Sequence, residues 1–177
     1  MAAATNTLEH FIWSTLPNTG GKLFVPQFEG KNMVDEFIKS SNTLLVKTTF
    51  LLLGFYQENF EYPFFTPLEI PGNGQYIQLL PIPKTTSLST HLPSLGAAKK
   101  NIGLFVKAIL EQPEKTLHGK YVSGYVEKLT LDQLLQKRAK VHGRNAHYVE
   151  IDQQTFKGLW SELGDKMITP MLEFHRS

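Results

Sequence analysis

Apolar residues fall into two different periodic patterns near the start of the chain. The segments Leu8 to Trp13 and Leu44 to Leu53 are apolar on both alternating faces, which is typical of strands covered on both sides in a parallel sheet. Between them, apolar residues at helical spacing predict an amphipathic helix from about Phe28 to Lys39. The residues of this apolar face are Met33, Val34, Phe37 and Ile38. The order strand, helix, strand predicts a parallel βαβ unit.

The middle of the chain is dominated by proline and aromatic residues. Between Glu61 and Thr90 the prolines fix backbone angles and remove donors, which predicts an ordered, non-helical segment. Within it we expect a hairpin-like turn at Gly72-Asn73-Gly74 and a strand from Gln75 to Leu80. A helix then follows from Lys99 to Gln112, with an apolar stripe that ends at Leu110.

The last third predicts strands alternating with capped helices. A strand from Gly119 to Val126 precedes a capping box of Thr130 and Gln133, which opens a helix. A strand from Ala146 to Ile151 follows. Asp152 is predicted to cap a final helix that Gly164 ends. Because no flexible linker or repeat interrupts these elements, we interpret residues 1–177 as a single domain.

Composition narrows the class of protein. A chain of 177 residues with 41% hydrophobic residues can bury a core, and its formal net charge of +2 is too weak to favour a nucleic-acid partner. There are no cysteines, which excludes disulfides and a thiol nucleophile. The longest apolar runs are far shorter than the roughly 20 residues that span a bilayer, and no signal peptide opens the sequence. We therefore expect a cytoplasmic protein without a membrane partner.

Three stretches carry a resemblance to a known family. The opening Leu8 to Thr15 is similar to an inner strand of a dinucleotide-binding sheet. The run Lys22 to Lys39 resembles the family's helix with the pattern aromatic-x-x-Lys-x-x-Val-Glu-Glu-aromatic, and Thr48 to Phe60 is similar to the strand and loop that pass the nicotinamide in relatives. In this order they resemble the second half of an NmrA-like protein, from the atypical short-chain dehydrogenase/reductase family.

The resemblance implies an α/β fold. Residues 1–60 are expected to form a truncated Rossmann-like parallel sheet with flanking helices, and residues 61–177 a small substrate-binding α/β region. The Gly-rich turn that holds the dinucleotide phosphates in relatives has no counterpart here, and Leu52-Leu53 stand where many relatives have Arg-Pro. We therefore expect no cofactor, with NADP bound only if a partner supplies the missing half. An uncovered edge at Leu8 to Trp13 favours a homodimer.

The resemblance also selects candidate site residues. Lys31 stands at the family's helix lysine, which serves reducing members as an acid or electrostatic donor; the alternative is a solvated surface lysine. We predict catalytic roles for this lysine, for Tyr56 as a proton donor or a packing aromatic, and for His91 as an acid/base or a loop residue. The predicted substrate-binding residues are Trp13, Ser14, Thr15, Phe55 and Asn59. His142 and His147 lack a third ligand at metal-binding spacing, so no metal is predicted.

Three functions are compatible with these features. The first is a small-molecule enzyme of specialised metabolism that catalyses a redox-neutral step without cofactor, such as an isomerisation, cyclisation or dehydration. The second is a regulatory binding protein without enzymatic activity. The third is an NADP-dependent oxidoreductase completed by a partner.

Overall fold

The computed structural model describes residues 2–161 and Lys166, which fall into two compact units. One unit comprises Met1–Tyr56 and Leu95–Val126, and the other comprises Gln57–Ser94 and Glu127–Ser177. The strands are β1 (Phe11–Thr15), β2 (Thr48–Leu53), β3 (Phe55–Tyr56), β4 (Leu68–Ile70), β5 (Gln75–Leu80), β6 (His91–Gly96), β7 (Lys120–Gly124), β8 (Glu127–Thr130) and β9 (Asn145–Glu150). The helices are α1 (Pro26–Ser40), α2 (Asn42–Leu45), α3 (Lys84–Ser89), α4 (Ala98–Leu110), α5 (Pro113–Thr116) and α6 (Leu131–Val141), and residues 153–161 are also helical.

The first unit is built on a parallel sheet with strand order β1-β2-β7. Helix α1 connects β1 to β2, so the predicted βαβ unit is confirmed. Phe50 at the centre of the sheet is fully buried and packs with Ile38 of α1 and Leu44 of α2. The predicted α/β class, with parallel strands flanked by helices, is therefore correct.

Strands β1 and β2 both begin later than predicted. Leu44 and Leu45 belong to helix α2, and β2 starts only at Thr48. The parallel register pairs Phe11 with Thr48, so β1 has no partner strand before Phe11 and continues instead to Thr15. The Thr48 hydroxyl donates to the Leu44 carbonyl at 2.7 Å and stabilises this junction.

The predicted buried face of α1 is correct for Ile38, which is buried, and for Val34, which packs against the core, but it is wrong for Met33 and Phe37. Met33 and Phe37 are 74% and 63% exposed, and the helix buries Asn32 and Asp35 instead, together with Phe28 and Ile38. The buried polar pair finds hydrogen-bond partners on β1 and the loop after it, and this tertiary bonding outweighs the apolar periodicity.

A smaller correction applies to helix α4. Leu110, predicted for the apolar stripe, is half exposed at the end of the helix, whereas Ile109 is buried. The stripe therefore ends one residue earlier than the sequence pattern suggested.

The second unit contains a sheet with strand order β4-β5-β9. Strand β5 occupies the predicted residues and pairs antiparallel with β4 across the turn at Pro71 to Gly74, which confirms the hairpin. Strand β9 pairs with β5 in parallel, and helix α6 packs on β9. The capping box is present, because the Thr130 hydroxyl accepts from the Gln133 amide at 3.1 Å and the Gln133 side chain accepts from the Thr130 amide at 2.9 Å.

The proline-rich segment was predicted to be non-helical, but it contains helix α3. Helix α3 begins directly after Pro83, whose φ of −57° suits a helix start, and no proline interrupts residues 84–89. The Asp152 cap is confirmed, since its carboxylate accepts from the Thr155 amide at 2.8 Å. The helix end predicted at Gly164 lies outside the described residues.

The described residues contain neither a membrane-spanning helix nor a metal-binding cluster. No helix in this part of the chain is long and apolar enough to cross a membrane. No group of His, Asp or Glu side chains within residues 2–161 has a geometry that would hold a metal ion.

The outer edge of β1 generates a prediction about assembly. No strand among the described residues pairs with this edge, so its backbone groups, apart from the Ser14 carbonyl that accepts from Lys31, can pair with another strand. We propose that a second copy of the chain covers it. Light scattering at micromolar concentration should then give twice the 20.1 kDa chain mass, and hydrogen exchange should be slow at all β1 amides. A monomer whose outer β1 amides exchange rapidly would contradict the proposal.

Candidate functional site

The parallel register aligns three aromatic side chains in one row across the first unit. Trp13 of β1 pairs with Phe50 of β2, which in turn pairs with Tyr121 of β7. Residues at matching positions of paired strands point to the same face of a sheet. The rings of Phe50 and Tyr121 stack with centroids 4.7 Å apart and planes 14° from parallel.

Helix α1 lays a stripe of charged residues over this aromatic row. Lys31, Asp35 and Lys39 are spaced four residues apart and therefore share one helix face. The Lys31 Nζ lies 4.4 Å from the Trp13 ring centroid, and the Lys39 Nζ lies 5.8 Å from that of Tyr121. Both distances are within the range of cation–π attraction.

The central residue of the stripe is a buried carboxylate. Asp35 is only 3% exposed, yet no cation forms an ion pair with it in the described part of the chain. Its charge is satisfied by neutral donors. The Trp13 Nε1 donates to Oδ1 at 2.8 Å, the Thr15 hydroxyl to Oδ2 at 2.8 Å, and the Tyr121 hydroxyl to Oδ2 at 3.3 Å. These bonds join α1 to both outer strands of the sheet.

Lys31 is held at the carboxyl end of β1. Its ammonium donates to the Ser14 carbonyl oxygen at 2.9 Å and rests against the Trp13 ring. An ammonium has three N–H donors, and within the described residues the Ser14 carbonyl is its only hydrogen-bond acceptor. A half-buried, fixed cation with unused donors at the end of a parallel strand can bind a ligand oxygen.

The loop between β1 and α1 is anchored to the helix beside this lysine. The Asn32 side-chain amide donates to the Leu16 carbonyl at 3.1 Å and lies 3.5 Å from that of Pro17. Thr19 in the same loop is 7% exposed, and its hydroxyl has no hydrogen-bond partner among the described residues. A buried hydroxyl without a partner is rare, and a bound ligand or water would satisfy it.

The structure brings four of the predicted site residues together, namely Lys31, Trp13, Ser14 and Thr15. Their roles differ. Ser14 contributes its carbonyl oxygen, whereas the buried Thr15 hydroxyl is bonded to Asp35. The side chains of Ser14 and Thr15 point to opposite faces because neighbouring residues of a strand alternate.

The other predicted residues are distributed between the two units. Phe55 and Tyr56 form β3 in the first unit, after the carboxyl end of β2, and both are half-buried. Asn59 lies in a 3-10 turn of the second unit, where its carbonyl accepts from the Tyr62 amide at 3.1 Å. His91 also belongs to the second unit; it is exposed, and its Nδ1 lies 3.1 Å from the Ser89 carbonyl oxygen.

Sequence reasoning missed two residues of this cluster, Asp35 and Tyr121. A usable signal was present for Asp35, because a carboxylate between two lysines at four-residue spacing marks one face of α1. Tyr121 gave no signal, since it reaches Asp35 from a strand 86 positions further along the chain.

The cluster raises the pKa values of two of its members, Tyr121 and Lys39. Burial raises the pKa of the Tyr121 phenol above its ordinary value, and the Asp35 carboxylate adds to this effect, whereas the neighbouring Lys39 opposes it. The hydrogen bond from Lys39 to Glu36, 2.9 Å long, is the main cause that raises the pKa of Lys39. At neutral pH Tyr121 is therefore a stable hydrogen-bond donor to Asp35.

The raised pKa of Tyr121 predicts a pH-dependent contribution to stability. Because the folded state holds the phenolic proton more tightly, the contribution is complete below the unfolded pKa of about 10 and is lost as the pH rises through the folded pKa. Tyr121→Phe should lower the free energy of unfolding by about 0.5–1.5 kcal/mol near pH 8, and this deficit should shrink above about pH 10. Urea unfolding across this pH range measures both.

Tyr62→Phe is the matched control, because Tyr62 in the second unit is 52% exposed, close to the 48% of Tyr121, and its hydroxyl makes no hydrogen bond to a carboxylate within the described residues. It should show no comparable deficit at either pH. A deficit for Tyr121→Phe that is constant from pH 8 to 11 would contradict the assignment.

The chain is similar to known proteins in both sequence and fold. The sequence profile of the NmrA-like family matches residues 1–176. Among solved structures, NmrA, described as a negative transcriptional regulator in complex with NAD, is 23% identical with a TM-score of 0.68, and the match covers 81% of this chain and 43% of that chain. NmrA in complex with NADP is 24% identical with a TM-score of 0.65 and the same coverage.

A solved structure with lower sequence identity is described as an enzyme. A nucleoside-diphosphate-sugar epimerase from Staphylococcus aureus is 12% identical with a TM-score of 0.64, over 94% of this chain and 55% of that chain. The chain thus spans 43% to 55% of the length of these structures. The profile match over residues 1–176 shows that the chain belongs to the NmrA-like family.

Proposed function

We propose that this chain binds a small molecule through an oxygen atom at the Lys31 ammonium and catalyses a redox-neutral step, such as an isomerisation, cyclisation or dehydration. The observation that carries the proposal is the fixation of Lys31. Its Nζ is held between the Ser14 carbonyl and the Trp13 ring, at the end of β1 where ligands bind in open α/β sheets.

A cation fixed in this way stabilises negative charge as it develops. Removal of a proton next to a carbonyl group gives an enolate, and an ammonium already in position stabilises that oxygen without reorganisation. The lysine need not lose its own proton for this purpose. The chemistry requires only a positioned donor and a group that moves the substrate proton.

Tyr56 is the proposed proton-transfer group within the same unit. It follows the carboxyl end of β2, and β1 and β2 run parallel, so the two strand ends lie at one edge of the sheet. The Thr19 hydroxyl in the loop after β1, which has no partner within residues 2–161, supplies a further polar group for a ligand at this edge.

A second candidate is a regulatory protein that binds a dinucleotide. It is favoured by the NmrA structures, which are described as a negative transcriptional regulator in complex with NAD or NADP. A third candidate is an NADP-dependent oxidoreductase completed by a partner, since the chain spans 43% of those structures.

Lys31→Met tests the proposed ligand site, because it removes the charge and keeps most of the apolar stem. The probe is the emission of Trp13 in a Trp160→Phe background, which leaves one of the two tryptophans. Small enolates, phenolates and carboxylates should alter this emission, and Lys31→Met should weaken their binding by about 10- to 100-fold, as loss of a charged hydrogen bond does. In a turnover assay the loss should be about 100- to 1,000-fold.

Lys47→Met is the matched control. Lys47 also donates to a backbone carbonyl, that of Leu8 at 2.7 Å, but this carbonyl lies before the amino end of β1. It should leave ligand binding unchanged. If the Lys31→Met variant and the parent protein bind these ligands equally well, the proposed function is contradicted.

Dinucleotide titration separates the first candidate from the other two. The chain on its own should not bind NADP or NADPH with useful affinity, because the sequence lacks the Gly-rich turn before a helix that holds a pyrophosphate. Calorimetry with both forms measures this. Micromolar binding at one site per chain would instead favour the regulator or the reductase.

A further inference from the structure

Trp13 contacts Lys31 and Asp35 with different parts of its indole. The ring face lies 4.4 Å below the Lys31 Nζ, while the ring N–H donates to the Asp35 Oδ1 at 2.8 Å. The N–H lies at the edge of the indole plane, so a bond to it fixes the direction in which the face points. The indole is thus a physical link between the buried carboxylate and the lysine.

We propose that Asp35 is a positioning residue for Lys31 and that it acts through Trp13. The proposal rests on the proposed function only in taking Lys31 as the ligand-binding cation. The carboxylate has two effects on the indole. It holds the ring in the orientation that supports the ammonium, and it increases the negative charge of the ring face because the N–H bond is polarised toward an anion.

The other bonds of Asp35 make the carboxylate a rigid support. Thr15 and Tyr121 hold its second oxygen from two different strands, so the carboxylate cannot rotate away from Trp13 without breaking these bonds. Four residues separate Asp35 from Lys31, which places both side chains on the same face of α1. The helix therefore sets the distance between the support and the cation.

A buried carboxylate without a cationic partner is otherwise difficult to explain. Removing its charge from water costs free energy, and apolar residues of similar size often stabilise a fold as well or better. Helix α1 contains the apolar residues Met33 and Phe37, yet these face outward while the carboxylate is buried. A role in orienting Trp13 and Lys31 gives the buried charge a function that an apolar residue could not provide.

The test uses ring-current shifts, which report the position of Lys31 without any ligand. Protons that lie over an indole face shift upfield, so the side-chain Hε signals of Lys31 should be upfield in protein with isotope-labelled lysine; Lys31→Arg assigns them. Asp35→Asn keeps the shape but removes the charge, and it should move these signals at least halfway to those of an exposed lysine. Acylation of Lys31 by limiting acetic anhydride, followed by mass spectrometry, should become several-fold faster.

Two variants make the result specific. Glu36→Gln removes the neighbouring exposed carboxylate, which pairs with Lys39, and it should leave the Lys31 signals and reactivity unchanged. Trp13→Phe keeps an aromatic ring but has no N–H, and it should release Lys31 as Asp35→Asn does. In the Trp13→Phe background, Asp35→Asn should then have no further effect on Lys31.

The proposal is overturned if Asp35→Asn leaves the Lys31 signals upfield in a folded protein, or if the two substitutions have additive effects. If Asp35→Asn does not fold, Trp13→Phe decides, because unchanged Lys31 reactivity in that variant also overturns the link. Failure of the proposed function has a different signature. Lys31 would then respond to Asp35→Asn as expected, whereas Lys31→Met would bind ligands normally.

Discussion

Burial of the Asp35 carboxylate is the constraint on which the geometry of the first unit depends. An anion in a protein interior is tolerated only when its oxygens are fully hydrogen-bonded, and hydrogen bonds to a charged group contribute about 1.5–3 kcal/mol each. Trp13, Thr15 and Tyr121 supply these bonds from β1 and β7. Helix α1 can therefore satisfy Asp35 in only one position and rotation relative to the sheet.

That rotation determines which residues of α1 are buried and which are exposed. It turns Asn32 inward to bind the loop after β1, and it turns Met33 and Phe37 outward. It also places Lys31 over Trp13 at the carboxyl end of β1. The family's helix lysine thus occupies a defined position through contacts made by its neighbours, and the proposed function follows from that position.

Features determined by short stretches of sequence were predictable. The capping box of Thr130 and Gln133 and the strand Gln75–Leu80 follow from signals a few residues apart, and the structure has both. The order of strand, helix and strand was also predictable, because the apolar patterns of two-sided strands and of a helix differ in period. Lys31 was identified as a candidate through the resemblance to the family.

Features determined by distant contacts were not predictable from the pattern alone. The apolar residues Met33 and Phe37 indicated the wrong face of α1, because the partners that draw Asp35 inward lie on other strands. The start of β1 was misplaced for a similar reason, since the register with Thr48 fixes it. Helix α3 was missed because the prolines before it obscured a helix that begins directly after Pro83.

The most direct measurement of this constraint is the NMR signal of the Trp13 indole N–H. A proton donated to a buried carboxylate should resonate downfield and exchange slowly with solvent, and both properties should be lost in Asp35→Ala while the Trp160 signal is retained. An indole proton of Trp13 that exchanges at the rate of an exposed tryptophan in the unmodified protein would show that Asp35 does not hold it.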